Sequence, residues 1–323
     1  MPEMLGSDFL LIVRERFPDI VTILLTGFSE TEELMKAVKA GIFSYIIKPW
    51  ESSYLKSELE KALEHRRIKS ENARYAKLME EELRWAGEMQ RAILKPNLRS
   101  TEGVELRVSY RPVPGLYCGG DYYDVINLPG GRYFLLLGDV AGHGIKGAFI
   151  TGILKALIYP EYLRDRLGKP FSPAAFLSWL NDRMNFELRN TSGLFITFFA
   201  GILDPAALTL TYANAGHNYP YLLSAWQARQ LTESGSPLGF AASTSYKDAV
   251  EPLIKGDLLF LYTDGLVEAG SSASEGAVVE LPALFKAEPY GQDFHRRMMA
   301  AALAASGVSD FEDDLTIVTA MVT

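Results

Sequence analysis

The sequence predicts an α+β chain in three parts, and three differences in texture carry that prediction. Residues 96–323 hold short apolar strands separated by Gly, Asn and Asp turns, with helices only here and there. Residues 51–95 contain no proline and one glycine, Gly87, and are dominated by charge. Residues 1–50 alternate amphipathic helix with continuous apolar strand, the texture of an α/β unit.

In the first part, DFLLIVRERFP (8–18) has helical spacing and stops at Pro18. IVTILLTG (20–27) is a β-branched run ending in Thr-Gly, as a buried parallel strand does. SETEELMKAVKAG (29–41) starts on Ser29 as an N-cap, carries acids in its first turn and stops at Gly41. IFSYIIKP (42–49) is a second buried strand, which completes a βαβ unit.

In the second part, Ile68, Tyr75, Met79, Ala86, Met89 and Ile93 recur near alternating three- and four-residue steps. Asn72 and Glu82 interrupt that seam. A continuous helix here would reach roughly 65 Å. Two readings stand: a solvated helical spacer, or a parallel dimer coil joining two domains, with Gly87 as a soft point. The third part offers strands at VELRVSYRP, YFLLLGDV, LFITFFAGILD, LTLTYANAG, PYLLS, DLLFLYTDG and LTIVTAMVT, with helices near 145–158, 173–190 and 292–306. About 225 residues of this kind form a layered sandwich with a substantial core.

The totals exclude several functions. The 323 residues are 48% hydrophobic and 22% charged, as in ordinary globular proteins. No apolar run spans a bilayer, and no secretion signal opens the chain. One cysteine, Cys118, forms no intrachain disulfide and suits a cytoplasmic location. Forty acidic against 32 basic residues give a net charge of −8, which disfavours nucleic acid and leaves room for divalent cations.

Several strand ends of the third part carry aspartate, usually beside glycine. Asp121 and Asp124 lie in CGGDYYD, Asp139 in GDVAGHG, Asp264 in TDGLVEA, and Asp313 and Asp314 in DDLTIV. One such residue alone reads as a turn former. Together they suggest convergence, and converged carboxylates need a cation to stay ionised. Hard oxygen ligands select Mg²⁺ or Mn²⁺, and no Cys/His cluster argues for zinc. The glycines beside Asp121, Asp139 and Asp264 allow tight turns and expose backbone carbonyls. Two ions about 3.5–4 Å apart can activate water for in-line attack on phosphorus. No G-x-S-x-G, Walker loop or H-E-x-x-H is present to supply another chemistry.

GGDYYD, GDVAGHG, NAGHNYP, SPLGF, TDGLVEA and DDLTIV, in that order, resemble the SpoIIE/RsbU-type branch of the metal-dependent (PPM) serine/threonine protein phosphatases. EMQRAILKP (88–96) resembles the helix-to-Pro segment that precedes such domains, so the resemblance covers 88–323. It implies a sandwich of two antiparallel sheets flanked by helices, with two Mn²⁺ or Mg²⁺ ions at one edge. Carried over, Asp139 bridges both ions and the Val140 carbonyl touches one. Asp264 and Asp313 hold one ion, with Asp314 as the second choice to Asp313, and Asp121 holds the other. The substrate implied is phosphoserine or phosphothreonine on a STAS-type anti-sigma-factor antagonist.

His143 reads as a general acid for the leaving oxygen, as a cap of the following helix, or as a residue at the site's rim. His217 in NAGHN reads as a turn residue, and Cys118 as a small packed side chain. No arginine lies inside CGGDYYD to bind phosphate, and Arg111 is the nearest.

Residues 1–50 resemble the second half of a response-regulator receiver domain. MPEMLG matches the loop after the phosphoacceptor, LLTG places Thr26 at the switch hydroxyl, and YIIKPW places Lys48 before Pro49, a bond expected to be cis. The phosphoacceptor itself would precede Met1. The expectation is therefore a fragment, or a half-receiver that dimerises through its open sheet, with apolar faces of IVTILL and FSYII uncovered and no phosphorylation by a histidine kinase in this form. The full reading is 1–50 partial receiver, 51–95 helical or coiled-coil linker and 96–323 phosphatase. It is an output protein of two-component signalling that works as a homodimer, with a sensor histidine kinase upstream of the complete receiver. The alternative is a non-catalytic phosphatase-fold scaffold that binds a sigma-factor regulator.

Overall fold

Two compact units make up the chain, residues 1–81 and 82–323, and the division falls inside one long helix. The computed structural model describes residues 6–27, 31–96, 103–142, 144–164, 172–187, 193–224, 227–268, 279–287 and 290–323.

In the first unit, α1 (Gly6–Arg16) precedes β1 (Ile23–Thr26), α2 (Thr31–Lys39) and β2 (Ser44–Ile47). β1 and β2 pair in parallel, from Ile23 opposite Ser44 to Thr26 opposite Ile47. Ala37, Ala40 and Ile46 are buried, while Leu25, Tyr45 and Ile47 are exposed. The strand ends bring Thr26 and Lys48 together, with the Lys48 N–H donating to the Thr26 carbonyl at 2.7 Å. The Lys48–Pro49 peptide is cis. The loop expected at MPEMLG and the Ser29 cap lie, but for Gly6, outside the described residues. α3 (Ser52–Leu94) is one unbroken helix of 43 residues, and no glycine or proline interrupts the part before Gly87.

The second unit has two five-stranded sheets. β3 (Val104–Arg111), β4 (Asp121–Leu128), β5 (Arg132–Val140), β6 (Ile196–Asp204), β7 (Thr209–Ala215), β8 (Tyr221–Ser224), β9 (Gln227–Gln230), β10 (Ala249–Pro252), β11 (Leu258–Tyr262) and β12 (Leu315–Val322) supply them. One sheet runs β10-β7-β6-β5-β4 and the other β3-β12-β11-β8-β9, every pairing antiparallel. α4 (Ile145–Leu157) and α5 (Pro173–Glu187) pack on the first sheet, and α6 (Leu281–Ala287) and α7 (Phe294–Ser306) on the second. The expected sandwich of two antiparallel sheets flanked by helices is thus the fold.

Burial on both faces explains why these strands read as continuous apolar runs rather than alternating ones. Along β11, Leu259 and Leu261 enter the core between the sheets, while Leu258, Phe260 and Tyr262 enter a second cluster under α6 and α7. Outside the first sheet, Phe176 on α5 stands edge-on to Phe134 and to Tyr162, with centroids 5.1 Å apart in each case. Among the described residues no helix is long and apolar enough to cross a membrane.

His295 ties α7 to the second sheet. Its Nδ1 lies 2.8 Å from Ser109 Oγ on β3 and its Nε2 2.9 Å from Thr319 Oγ1 on β12. Burial, with the Arg107 guanidinium adding to it, pushes its pKa down from 6.5 to about 4. Between those values the unfolded chain binds the extra proton and the folded chain does not. Stability is therefore full above pH 6.5 and is lost as pH falls towards 4. The loss at pH 5 is about 2 kcal/mol. Urea midpoints at pH 7.5 and pH 5 are expected to fall further for the wild type than for His295→Asn. Equal falls would remove this histidine as the acid-sensitive group.

Candidate active site

Strand register brings the aspartates of four separate motifs to one edge of the sandwich. Asp121 opens β4 and pairs directly with Asp139 near the end of β5. β11 ends at Tyr262, and Thr263 leads into a single 3₁₀ turn over Asp264–Leu266. Asp313 and Asp314 stand immediately before β12. The two sheets are joined here by hydroxyls: Thr263 Oγ1 and Thr316 Oγ1 both donate to Asp121 Oδ2, at 2.9 and 2.6 Å.

Asp121 is fully buried, and its other oxygen, Oδ1, has no hydrogen-bond partner among the described residues. Burial and the neighbouring Asp139 push its pKa up, against the two threonine hydroxyls. Asp139 is pushed up to about 8 by burial and then by Asp264, Asp313, Asp314 and Glu268. Asp264 is pushed up to about 6 by burial, Asp313 and Glu268. An orphaned buried carboxylate oxygen amid mutually repelling acids is what a hard divalent cation relieves, so this donor set fits one. As placed, no three Asp, Glu, His or Cys side chains among the described residues form a ready cage. Internal hydrogen bonds occupy several of the oxygens instead.

Asp314 shows this clearly. It is buried, and its oxygens accept from the Val113 N–H at 2.9 Å and the Gly120 N–H at 2.7 Å. It pins the Cys118–Gly120 loop. Asp313 is exposed, with Oδ1 accepting from the Asp314 N–H at 2.7 Å, and is the more open of the two. At Gly120 a Cβ would meet the carbonyls of Val140 and Gly142 at 2.8 and 2.9 Å and Asp139 Oδ1 at 3.5 Å. The absent side chain leaves those three oxygens close to bare backbone.

Other expectations need correction or refinement. Asp124 is not at a strand end; it lies within β4, buried, and pairs with Lys155 of α4 at 2.5 Å. Burial pushes its pKa up and Lys155 opposes that. Alternation along β4 sends it to the helix side while the strand's first residue faces the site. His217 is buried, with its N–H bonded to Asn214 Oδ1 and Nδ1 2.9 Å from Thr197 Oγ1, and burial pushes its pKa down to about 3. It acts as a turn anchor. Cys118 is fully buried and its thiol is pushed up by burial. Arg111 pairs with Asp310 at 2.7 Å. His143 lies outside the described residues.

Two residues escape the motif reading. Glu268 follows Asp264 by one helical step in TDGLVEA and adds to the charge felt by Asp139. Gln90 of α3 is buried and clasps the loop before Asp121. Its amide donates to the Gly119 carbonyl at 2.7 Å and to Thr151 Oγ1 at 2.9 Å, and its oxygen accepts from the Gly119 N–H at 3.1 Å. A polar residue on the apolar side of a helix end was the available signal. Gln90→Leu leaves both Gly119 groups buried without partners and should lower the unfolding free energy by about 1–3 kcal/mol, read from the urea midpoint. An unchanged midpoint would show the clasp to be idle.

The family model of stage II sporulation protein E, SpoIIE, matches residues 129–323. The chain belongs to the SpoIIE family. Phosphoserine phosphatase RsbU of Bacillus subtilis is 27% identical over 208 residues, 64% of this chain and 58% of that protein. The SiaA-PP2C domain of Pseudomonas aeruginosa superposes with a TM-score of 0.64 at 23% identity, covering 76% of this chain and 98% of that one. The hydrogenase transcriptional regulatory protein HoxA of Cupriavidus necator is 42% identical over 65 residues, 20% of this chain and 14% of that protein, and this similarity falls in the N-terminal segment. The chain therefore spans between about one-seventh and three-fifths of these curated relatives, and the SpoIIE-family portion lies within its second unit.

Proposed function

We propose that the protein is a divalent-cation-dependent phosphatase acting on phosphoserine or phosphothreonine of another protein. The observation that carries this is Asp139, raised to about 8 among four other acids and paired in register with an Asp121 whose Oδ1 has no hydrogen-bond partner among the described residues. Asp139 would serve both Mn²⁺ or Mg²⁺ ions, Asp121 would serve one of them, Asp264 and Asp313 would serve the other, and the Val140 carbonyl would add a neutral oxygen. The cations supply polarisation of the phosphoryl oxygens and of the attacking water. The protein's own groups hold those carboxylates apart until then: Thr263 and Thr316 orient Asp121, and Asp314 fixes the loop that precedes it.

The substrate in this reading is a phosphorylated STAS-type anti-sigma-factor antagonist. RsbU, named a phosphoserine phosphatase, supports the phosphoserine specificity. Residues 1–50 act as receiver-derived control with Thr26 and Lys48 at the switch, 51–95 as linker and 96–323 as phosphatase. The linker forms a homodimer, supported by the exposure of Ile68, Tyr75, Met79, Met89 and Ile93 along one seam of α3. The test is hydrolysis of p-nitrophenyl phosphate, then of purified phospho-STAS proteins, with Mn²⁺ and with EDTA. Turnover that needs the cation supports the proposal. Binding of the STAS protein without any cation-dependent turnover would favour a scaffold instead.

A further inference from the structure

A cavity of about 430 Å³ opens between the second sheet and its covering helices, at the end of β11 and β12 away from the aspartates. The antiparallel register fixes that placement. Leu258 pairs with Met321 at the cavity end, and Tyr262 pairs with Ile317 at the aspartate end. The floor and walls are mostly apolar: Leu223, Leu258 and Met321 from the sheet, Phe285 from α6 and Phe294 from α7, with Tyr290 beside them as a ring that carries a hydroxyl. This volume lies within the roughly 300–1,000 Å³ range of small-molecule sites, which are mostly apolar with a few polar groups.

The mouth is formed by the Ile254–Gly256 turn between β10 and β11. Asp257 beneath it is buried and already engaged, with its carboxylate accepting from Ser224 Oγ at 2.6 Å and from the Ile254 N–H at 2.9 Å. Those bonds hold the turn in shape. Lys255 is exposed at the mouth and has no ion-pair partner among the described residues. A mostly apolar chamber whose rim ammonium has no ion-pair partner among the described residues matches an amphiphile with one anionic end.

We propose that this cavity binds a medium-chain carboxylate, with its tail among Phe285, Phe294 and Met321 and its head on Lys255. An ammonium head would meet Lys255 with like charge, and a chain too long for the chamber would leave methylenes in water. The site is independent of the phosphatase reading, because none of its residues belongs to the aspartate edge.

Calorimetric titration of the full chain with sodium octanoate and with octylammonium chloride tests this. Octanoate is expected to bind at least about tenfold tighter than octylammonium. Lys255→Glu, a change at an exposed position, should reverse that preference, and Leu223→Trp should abolish binding of both by filling the chamber. The proposal fails if octanoate does not bind, if both heads bind equally, or if folded Lys255→Glu binds octanoate as well as the wild type does.

Discussion

Asp139→Asn is expected to lower Mn²⁺-dependent hydrolysis of p-nitrophenyl phosphate on the order of a thousandfold while leaving the metal-free protein as stable as before, or more so. The two expectations have one cause. Asn keeps the shape of the side chain and removes a negative charge from a group that already feels Asp264, Asp313, Asp314 and Glu268. In the metal-free chain, carboxylates with raised pKa values contribute stability that is full below the ordinary value of 3.8 and is lost as pH rises through 6 for Asp264 and 8 for Asp139. Removing Asp139 relieves that loss at pH 8. Added Mn²⁺ should reverse the ranking, because a ligand that binds only the folded state stabilises it, by about 2.7 kcal/mol at a hundred times its dissociation constant. Thermal melts at pH 8 should therefore show Mn²⁺ raising the wild-type midpoint by several degrees and leaving Asp139→Asn unmoved. Retained activity in the variant, or an equal Mn²⁺ shift in both proteins, would remove Asp139 from the centre of the site.

The layered fold was legible because its strands announce themselves twice. Runs such as YFLLLGDV are too apolar for a one-sided sheet and too short for helices, and helices on the outer faces of both sheets explain why. Asp121, Asp139 and Asp264 stand out in the sequence because each lies beside glycine at the rim of such a run, and Asp313 and Asp314 because they stand as a pair before one. Position along the strand was less so. Asp124 repeats the pattern of Asp121 three residues earlier, and only alternation across β4 sends one to the site and the other to Lys155. The DYYDVINL strand itself was hidden, because its two aspartates looked like turn signals. The choice between Asp313 and Asp314 depends on which carboxylate the Gly120 and Val113 amides capture, a long-range hydrogen bond that no local pattern encodes. Gln90 belongs to the same class: its partners lie 29 and 61 residues away.

Gly87 gives the sharpest divergence between local and tertiary reasoning. In isolation Gly87→Ala should stabilise α3 by about 1 kcal/mol, because glycine is the poorer helix former. As a soft point in a linker it would tolerate the change. The packing reverses the sign. A Cβ at this position would lie 2.1 Å from the Tyr117 carbonyl oxygen and 2.7 Å from its carbon, so the helix backbone rests directly against the loop. Tyr117 has little freedom to yield, since its own φ is +64° and the next residues are clasped by Gln90 and Asp314. Relief must come from moving α3 off the loop, which breaks the Gln90 bonds, or from moving residues 117–120, which displaces Asp121. Gly87→Ala is therefore expected to destabilise the second unit by about 1–3 kcal/mol, the usual cost of overpacking, and to cut cation-dependent turnover with it. Urea unfolding followed by far-UV circular dichroism decides between the two signs. A midpoint higher than the wild type's would mean that helix propensity wins and that the close approach of α3 to Tyr117 does not hold in solution.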